Sequence, residues 1–204
     1  MSQYPVWPRL PPACYDRGKE CDTALMDSSA PTSIFLRLLG PQAEALPACV
    51  RRLHAAKRPA EFRGRAVAGA ARSRLARLCA WVAGLPRADG EIDVRVVLTS
   101  PAPGVEVWTR KFGRSTFRST LRAVGDELHE QLGPVRIRFR LHGDAAGIVW
   151  VPLGIDVLRL PLPLALLSGV RARESERDGR YRFDVAASLP LIGLIVRYDG
   201  WLDV

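Results

Sequence analysis

The sequence has no uninterrupted apolar run suited to crossing a membrane. Its most apolar stretch, Val151 to Val170, is broken by Pro152, Asp156, Arg159, Pro161 and Pro163, whereas a spanning helix needs about 20 continuous apolar residues. Cysteine is sparse: Cys14, Cys21, Cys49 and Cys79 form no CxxC pair and follow no secretory leader, so neither a disulfide framework nor a zinc knuckle is expected. The expected compartment is the reducing cytoplasm, with Cys49 and Cys79 as buried thiols in helices. The histidines, His54, His129 and His142, are too few and too scattered for a metal site. No metal or cofactor is expected.

Recognisable catalytic motifs are missing as well. The segment from Gly64, GRAVAGAA, has the glycine spacing of a phosphate loop but ends in Ala70-Ala71, where lysine and a hydroxyl are required. No GxGxxG follows a strand, and Ser168-Gly169 lacks the first glycine of a nucleophile elbow. Lysine is nearly absent too, with Lys19, Lys57 and Lys111 among thirty basic residues. The net charge of +9 permits an anionic partner, and the arginine bias with abundant alanine and glycine equally fits the codon usage of a GC-rich genome. Nucleic acid is not the expected partner, because aromatic residues are not interleaved with the basic ones and no known module is present.

What is present divides into three parts. Residues 1–30 are rich in proline and without period, and are expected to form a disordered tail; Met26, just ahead of DSSAPTS, is a candidate true start. Residues 31–204 are expected to form one domain. It opens with helical patterns: Ile34, Phe35, Leu38 and Leu39 after an N-cap at Thr32 or Ser33, then about 41–56 with a break at Pro47. AEFRGRAVAG has the pattern of a short strand. ARSRLARLCAWVAGLP reads as an amphipathic helix with Leu75, Leu78, Cys79 and Val82 inside and Arg72, Arg74 and Arg77 outside. From Glu91 the period changes to two, in strand-like segments near 91–99, 105–112, 115–124, 127–132, 135–142, 147–151, 153–160, 170–177, 180–188 and 194–202. Short turns separate them, so the expectation is an α+β domain: N-terminal helices packed on a long curled antiparallel β-meander, a barrel or half-barrel of lipocalin-like or START-like kind.

Turn chemistry sets the register. A two-residue turn at Gly133-Pro134 puts Leu132 opposite Val135, Glu130 opposite Ile137 and Leu128 opposite Phe139. A turn at Gly125-Asp126 puts Val124 opposite Glu127 and Leu121 opposite Glu130. The two turns agree about which face is which, and a slip by one residue would invert a strand. The inner face then carries Phe117, Leu121, Leu128, Leu132, Val135 and Phe139, with Glu130 among them. The outer face carries Arg118, Arg122, Arg136, Arg138 and Arg140, a candidate anion-binding surface. Same-face neighbours lie roughly 6.6 Å apart, and like charges at that distance repel by about 0.6 kcal/mol in water, so a solvated arginine column also stands without a ligand. Asp178-Gly179 is a strong hairpin signal that places Glu174 and Glu176 on the apolar side with Tyr181 and Phe183. A carboxylate in a dry core is costly: Glu176 is expected at the rim, and Glu130 either in a wet cavity or paired with an inward arginine. Pairing Phe139 with Trp150 across the His142–Gly147 turn adds Trp150 to the inner face.

The segments SIFLRLLGPQAEALPACVRRLH, VWTRKFGRSTFRSTLR, GPVRIRFRL and DGRYRFDVAASLPLIGLIVRYDGWL resemble a bacterial family catalogued as domain of unknown function 4166, from about Ser33 to Leu202. The resemblance transfers no activity and no catalytic residues. It implies free-standing domains or C-terminal partners of dehydrogenase-like nucleotide-binding domains, so an oxidoreductase partner would act in trans. The reading from the residues is a non-catalytic binding module for an apolar or lipid-like small molecule, with ligand candidates Phe117, Glu130, Phe139, Trp150, Tyr181 and Phe183. The LPLPLALLSG segment would form its lid or rim, and the basic outside would hold it against an anionic membrane surface. The alternatives are an accessory domain for an oxidoreductase, with a filled barrel, and an enzyme on a lipid-like substrate with Glu130 as acid or base.

Overall fold

The structure is a computed structural model and describes residues 33–204; the expected tail and the Met26 start lie outside the described residues. The elements run α1 (Ile34–Leu39), a 3-10 turn (Gly40–Ala45), α2 (Ala48–Ala55), β1 (Ala60–Ala70), α3 (Arg74–Val82), β2 (Gly90–Ala102), β3 (Val105–Phe112), β4 (Ser115–Val124), β5 (Glu127–Leu132), β6 (Val135–Asp144), β7 (Gly147–Val157), β8 (Leu160–Leu162), a second 3-10 turn (Leu164–Leu167), β9 (Gly169–Arg177), β10 (Arg180–Leu189) and β11 (Gly193–Asp203). The sheet is antiparallel and closes on itself. β1 pairs with both β2 and β11, β6 with β7, and β7 with β9, so ten strands form a barrel while β8 hangs on the second half of β7. Closure pairs every strand of the ten-strand ring on both sides, though β7 and β9 only over three residue pairs, and so removes most of the free edge that an open meander exposes.

The AEFRGRAVAG segment is not a short strand but the 11-residue closing strand β1. Residues 147–160, expected as two segments, form one long strand to Val157. The three hairpin registers hold as expected: Leu132 faces Val135, Val124 faces Glu127, and Arg177 faces Arg180. Gly125, Gly133 and the Asp178-Gly179 pair all adopt positive φ, the conformation that two-residue hairpin turns demand. The β6–β7 register differs. Leu141 faces Trp150 and Phe139 faces Pro152, because the turn is tighter than His142–Gly147, with Asp144 facing Gly147; a bulge at Leu153 shifts the register only beyond Phe139, where Arg138 faces Gly154. The shift is an even number of residues, so Trp150 still points inward.

The two ends of the barrel are finished differently. At one end lie the β2–β3, β4–β5, β6–β7 and β9–β10 turns, and α1 and α2 pack across it. Phe35 of α1 stacks 4.1 Å from the His54 ring and 5.3 Å from both Trp108 and Trp150, and Leu39 and Leu46 crowd Gly143 beside the β6–β7 turn. At the other end lie α3, the Gly133-Pro134 turn, the β7–β8 turn and the β10–β11 turn. They meet through Val82, whose carbonyl lies against Gly133, through the Leu158 amide, which donates to the Pro134 carbonyl at 2.9 Å, and through the Ser73 hydroxyl, which donates to the Ile192 carbonyl at 3.2 Å. α3 starts where expected, with Ser73 accepting from the Ala76 amide, but its inner face is not the expected one. Ala76 and Ala80 are buried against Ile195, while Leu75 and Leu78 are exposed. Small residues let the helix approach β11 closely, and that turns the leucines toward the barrel mouth.

Candidate functional site: an apolar cavity with a buried ion pair

Inward-facing alternate residues of the strands enclose a cavity of about 410 Å³. All six ligand candidates, Phe117, Glu130, Phe139, Trp150, Tyr181 and Phe183, lie on its wall. The aromatic lining is continuous: Phe112 stacks on Phe117 at 5.7 Å and contacts Tyr198 at 4.9 Å, and Phe139 meets Trp150 edge-on at 5.4 Å. The cavity reaches solvent because the seam between β7 and β9 holds only three residue pairs, Ile148–Glu174, Val149–Arg173 and Trp150–Ala172. Beyond it the two strands part, and β8 with the following 3-10 turn fills the gap as a rim, so that Leu162, Leu166 and Leu167 line the cavity opposite Leu78, Cys79 and Val82 of α3.

Three inward carboxylates belong to the helix-covered end. Glu106, missed by the sequence reading, takes hydrogen bonds from the Ser33 hydroxyl (3.1 Å), the Ile34 amide (3.1 Å), Arg58 (3.2 Å) and the Trp108 indole (3.0 Å), which uses the full acceptor capacity of a carboxylate. Glu174 accepts from His54 Nε2 at 2.6 Å and from the Trp150 indole at 3.1 Å. Glu176 accepts from the Cys49 amide at 2.8 Å, in the first turn of α2; burial and this carboxylate push the Cys49 thiol up, so the thiol is not activated. These groups hold α1 and α2 in place: Glu106 and Glu176 meet unpaired amides of the two helix N-termini, and Glu174 ties the last turn of α2 to β7 through His54 and Trp150.

Glu130 has a different setting. Its Oε1 lies 3.5 Å from Arg110 Nη1, and both side chains keep 11% exposure on the cavity wall. Arg110 also donates to the Ser119 hydroxyl at 2.7 Å and lies over the Trp108 and Phe117 rings, 4.8 and 5.3 Å from their centroids. Beside the pair, burial pushes the Tyr198 hydroxyl up to about 12, with Arg110 opposing and Glu130 adding to the rise. Tyr181 is raised well above its ordinary value, first by burial and then by Glu174. Both phenols are therefore neutral donors at physiological pH. Of the two possibilities for Glu130, the structure shows the inward arginine, with the pair set on the cavity wall. Arg110 and Trp108 were within reach of the same register argument. Gly113-Arg114 closes a hairpin that sets Arg110 opposite Phe117 and Trp108 opposite Ser119, on the inner face.

The outer arginine column is largely matched by acids. Arg136 pairs with Asp156 at 2.8 Å, Arg138 with Glu127 at 3.6 Å and Arg140 with Asp126 at 3.1 Å. Arg118 and Arg122 have no ion-pair partner among the described residues. The arginines of β9 and β10 are likewise spread over Asp184, Asp199 and Asp203. No group of three or more histidine, cysteine or acidic residues is arranged to hold a metal ion among the described residues, and no helix among them is long and apolar enough to cross a membrane.

A family model described as Domain of unknown function (DUF4166) matches residues 46–202. The chain belongs to this family. The match begins before α2 and ends in β11, so it takes in the whole barrel of this DUF4166 domain, while α1 lies ahead of it. No curated protein matches the chain.

Proposed function

We infer that this DUF4166 domain is a non-catalytic container for an apolar, lipid-like small molecule that carries one small polar group. The observation behind this reading is the cavity: about 410 Å³ with a mainly aromatic and aliphatic wall that Arg171, Arg173 and Glu174 also line, and in which Arg110 and Glu130 are paired with each other. Ligand pockets commonly enclose roughly 300–1,000 Å³ and are apolar with a few placed polar groups. Arg110 and Glu130 neutralise each other, so the pair suits a neutral head able both to accept and to donate, such as an alcohol or a protonated acid. A fully ionised head would meet the Glu130 carboxylate in a low-dielectric wall. The accessory-domain alternative called for a filled barrel, and an open cavity favours the container. In the enzyme alternative Glu130 would need freedom to exchange a proton, which the contact with Arg110 restricts.

Native mass spectrometry of freshly purified full-length protein tests the reading directly: a co-purified small molecule is expected. A second arm titrates the uncharged dye N-phenyl-1-naphthylamine into the wild type and into Ala172→Trp, which fills the cavity beside Trp150. Wild type should bind the dye and the variant should not. Absence of both co-purified molecule and dye binding, or equal dye binding by the filled variant, would falsify the container.

A further inference from the structure

We propose that the mouth of the barrel is a docking surface for an anionic lipid bilayer, from which the cavity loads; the loading clause rests on the container reading, and the docking itself does not. Several observations converge on the mouth. Leu158 at the β7–β8 turn and Leu191 at the β10–β11 turn stand at φ 52° and 65°, a left-handed conformation that favours glycine or asparagine and penalises a bulky side chain. Both leucines project into solvent, 73% and 107% exposed. The sequence thus places leucine where backbone strain and water both disfavour it, and where no core packing compensates. Trp81 on α3 is 66% exposed at the same end, and an amphipathic tryptophan is characteristic of the lipid–water boundary.

The patch is continuous with the cavity. Leu78 is both exposed and part of the cavity wall, and Leu162 is the same on the opposite rim. An apolar molecule leaving a bilayer would therefore pass from lipid to cavity without crossing water. The charge around the patch has the matching sign. Arg74 and Arg77 on α3, Arg87 after it, Arg114 at the β3–β4 turn and Arg159 at the β7–β8 turn are exposed, and have no ion-pair partner among the described residues. Of the acids at this end, Glu91 and Asp93 are taken by Arg65 at 3.1 and 3.5 Å and Asp156 by Arg136 at 2.8 Å, which leaves Asp89. Exposed apolar tips ringed by arginine form the pattern of a surface that inserts shallowly into anionic lipid. The sequence reading placed the membrane contact on the outer wall instead, where three of the five arginines are matched by acids.

The test is flotation of full-length protein with vesicles of phosphatidylcholine alone and of equal parts phosphatidylcholine and phosphatidylglycerol, at low and high salt. Wild type should float with the anionic vesicles at least about fivefold better than with the zwitterionic ones, the gain from one well-placed arginine, and salt should reduce the difference. The double variant Trp81→Glu/Leu158→Glu should lose about tenfold or more, from the apolar area withheld from lipid. Arg118→Ser/Arg122→Ser, on the outer wall, should float as wild type does. The substituted side chains at the mouth are exposed, so an unchanged unfolding midpoint is the folding control; Leu191→Glu serves if the double variant fails it. Equal flotation of wild type and mouth variant overturns the proposal, as does loss in the outer-wall variant instead. A dimer that the mouth variant dissociates, with no vesicle binding by wild type, assigns the patch to a second copy and also overturns it. Native mass spectrometry on the same samples separates the two readings, because protein that carries a ligand but does not float refutes the docking surface alone.

Discussion

The two ends of this barrel are built from similar turns but use leucine, tryptophan and charge in opposite ways. At the helix-covered end the aromatic rings of Phe35, Trp108 and Trp150 are buried together, and each inward carboxylate has donors from a helix terminus, an indole or a histidine. At the mouth, Trp81, Leu158 and Leu191 are exposed, and Arg74, Arg77, Arg87, Arg114 and Arg159 have no ion-pair partner among the described residues. The first arrangement lowers the free energy of the fold. The second raises it locally, through strained turns and hydrated apolar surface. A protein retains such surface where something other than water meets it. The proposed binding and the stability of the fold thus fall at opposite ends of one barrel.

That division can be broken most sharply at Glu174. Glu174→Ala leaves fully buried His54 and the Trp150 indole without their acceptor; each buried donor left unsatisfied costs about 1–3 kcal/mol, and urea unfolding should show a loss of stability of about 2–5 kcal/mol. A loss of less than about 1 kcal/mol, the range of an exposed pair, would mean that the covered end is not what holds the barrel together.

The next effect belongs to the interior and sharpens the contrast by pH. Tyr198 is raised from an ordinary 10.0 to about 12 by burial, and burial and then Glu174 raise Tyr181 well above its ordinary value. The unfolded chain then loses these protons first as pH rises. Their contribution is complete below about pH 10 and is lost as pH climbs toward 12, at up to about 1.4 kcal/mol per pH unit for each tyrosine. Urea unfolding of wild type should weaken over that window, and Tyr198→Phe should flatten part of the slope. An unchanged slope in Tyr198→Phe would show that its hydroxyl is not held in a dry wall.

The smallest effect carries the opposite sign. Leu158→Asn replaces a strained, exposed leucine with a residue that tolerates φ 52°, and should stabilise the fold by about 0.5–1 kcal/mol. A destabilised Leu158→Asn would mean that the leucine packs on the domain itself, and the contrast between the ends would blur.

Much of the fold was legible because β-hairpins announce themselves locally. Gly125-Asp126, Gly133-Pro134 and Asp178-Gly179 fix three registers, and the period of two then assigns every side chain on those strands to a face. The β6–β7 pairing was less accessible, since the central Ala145-Ala146 pair of its turn carries no strong turn signal. The faces survived because the offset was even. Arg110 was legible in principle, one hairpin further along, but an arginine read by itself is assigned to solvent. α3 shows the opposite failure: its helical period was plain, but its inner face was misread. Hydropathy favoured Leu75 and Leu78 as core, whereas the close approach of β11 required Ala76 and Ala80. Which side of a helix is buried depends on what packs against it, and that surface is assembled from distant residues.

By itself, then, the sequence determined the antiparallel meander, the inward aromatic wall and the inward position of Glu130, because alternation and turn conformation are set within a few residues of chain. Only the tertiary structure decided that β1 closes the ring, that a cavity remains between opposite walls, and that leucines at three separate points of the chain gather at one mouth. Ring closure and enclosed volume depend on the summed twist and stagger of ten strands, a property no single segment carries.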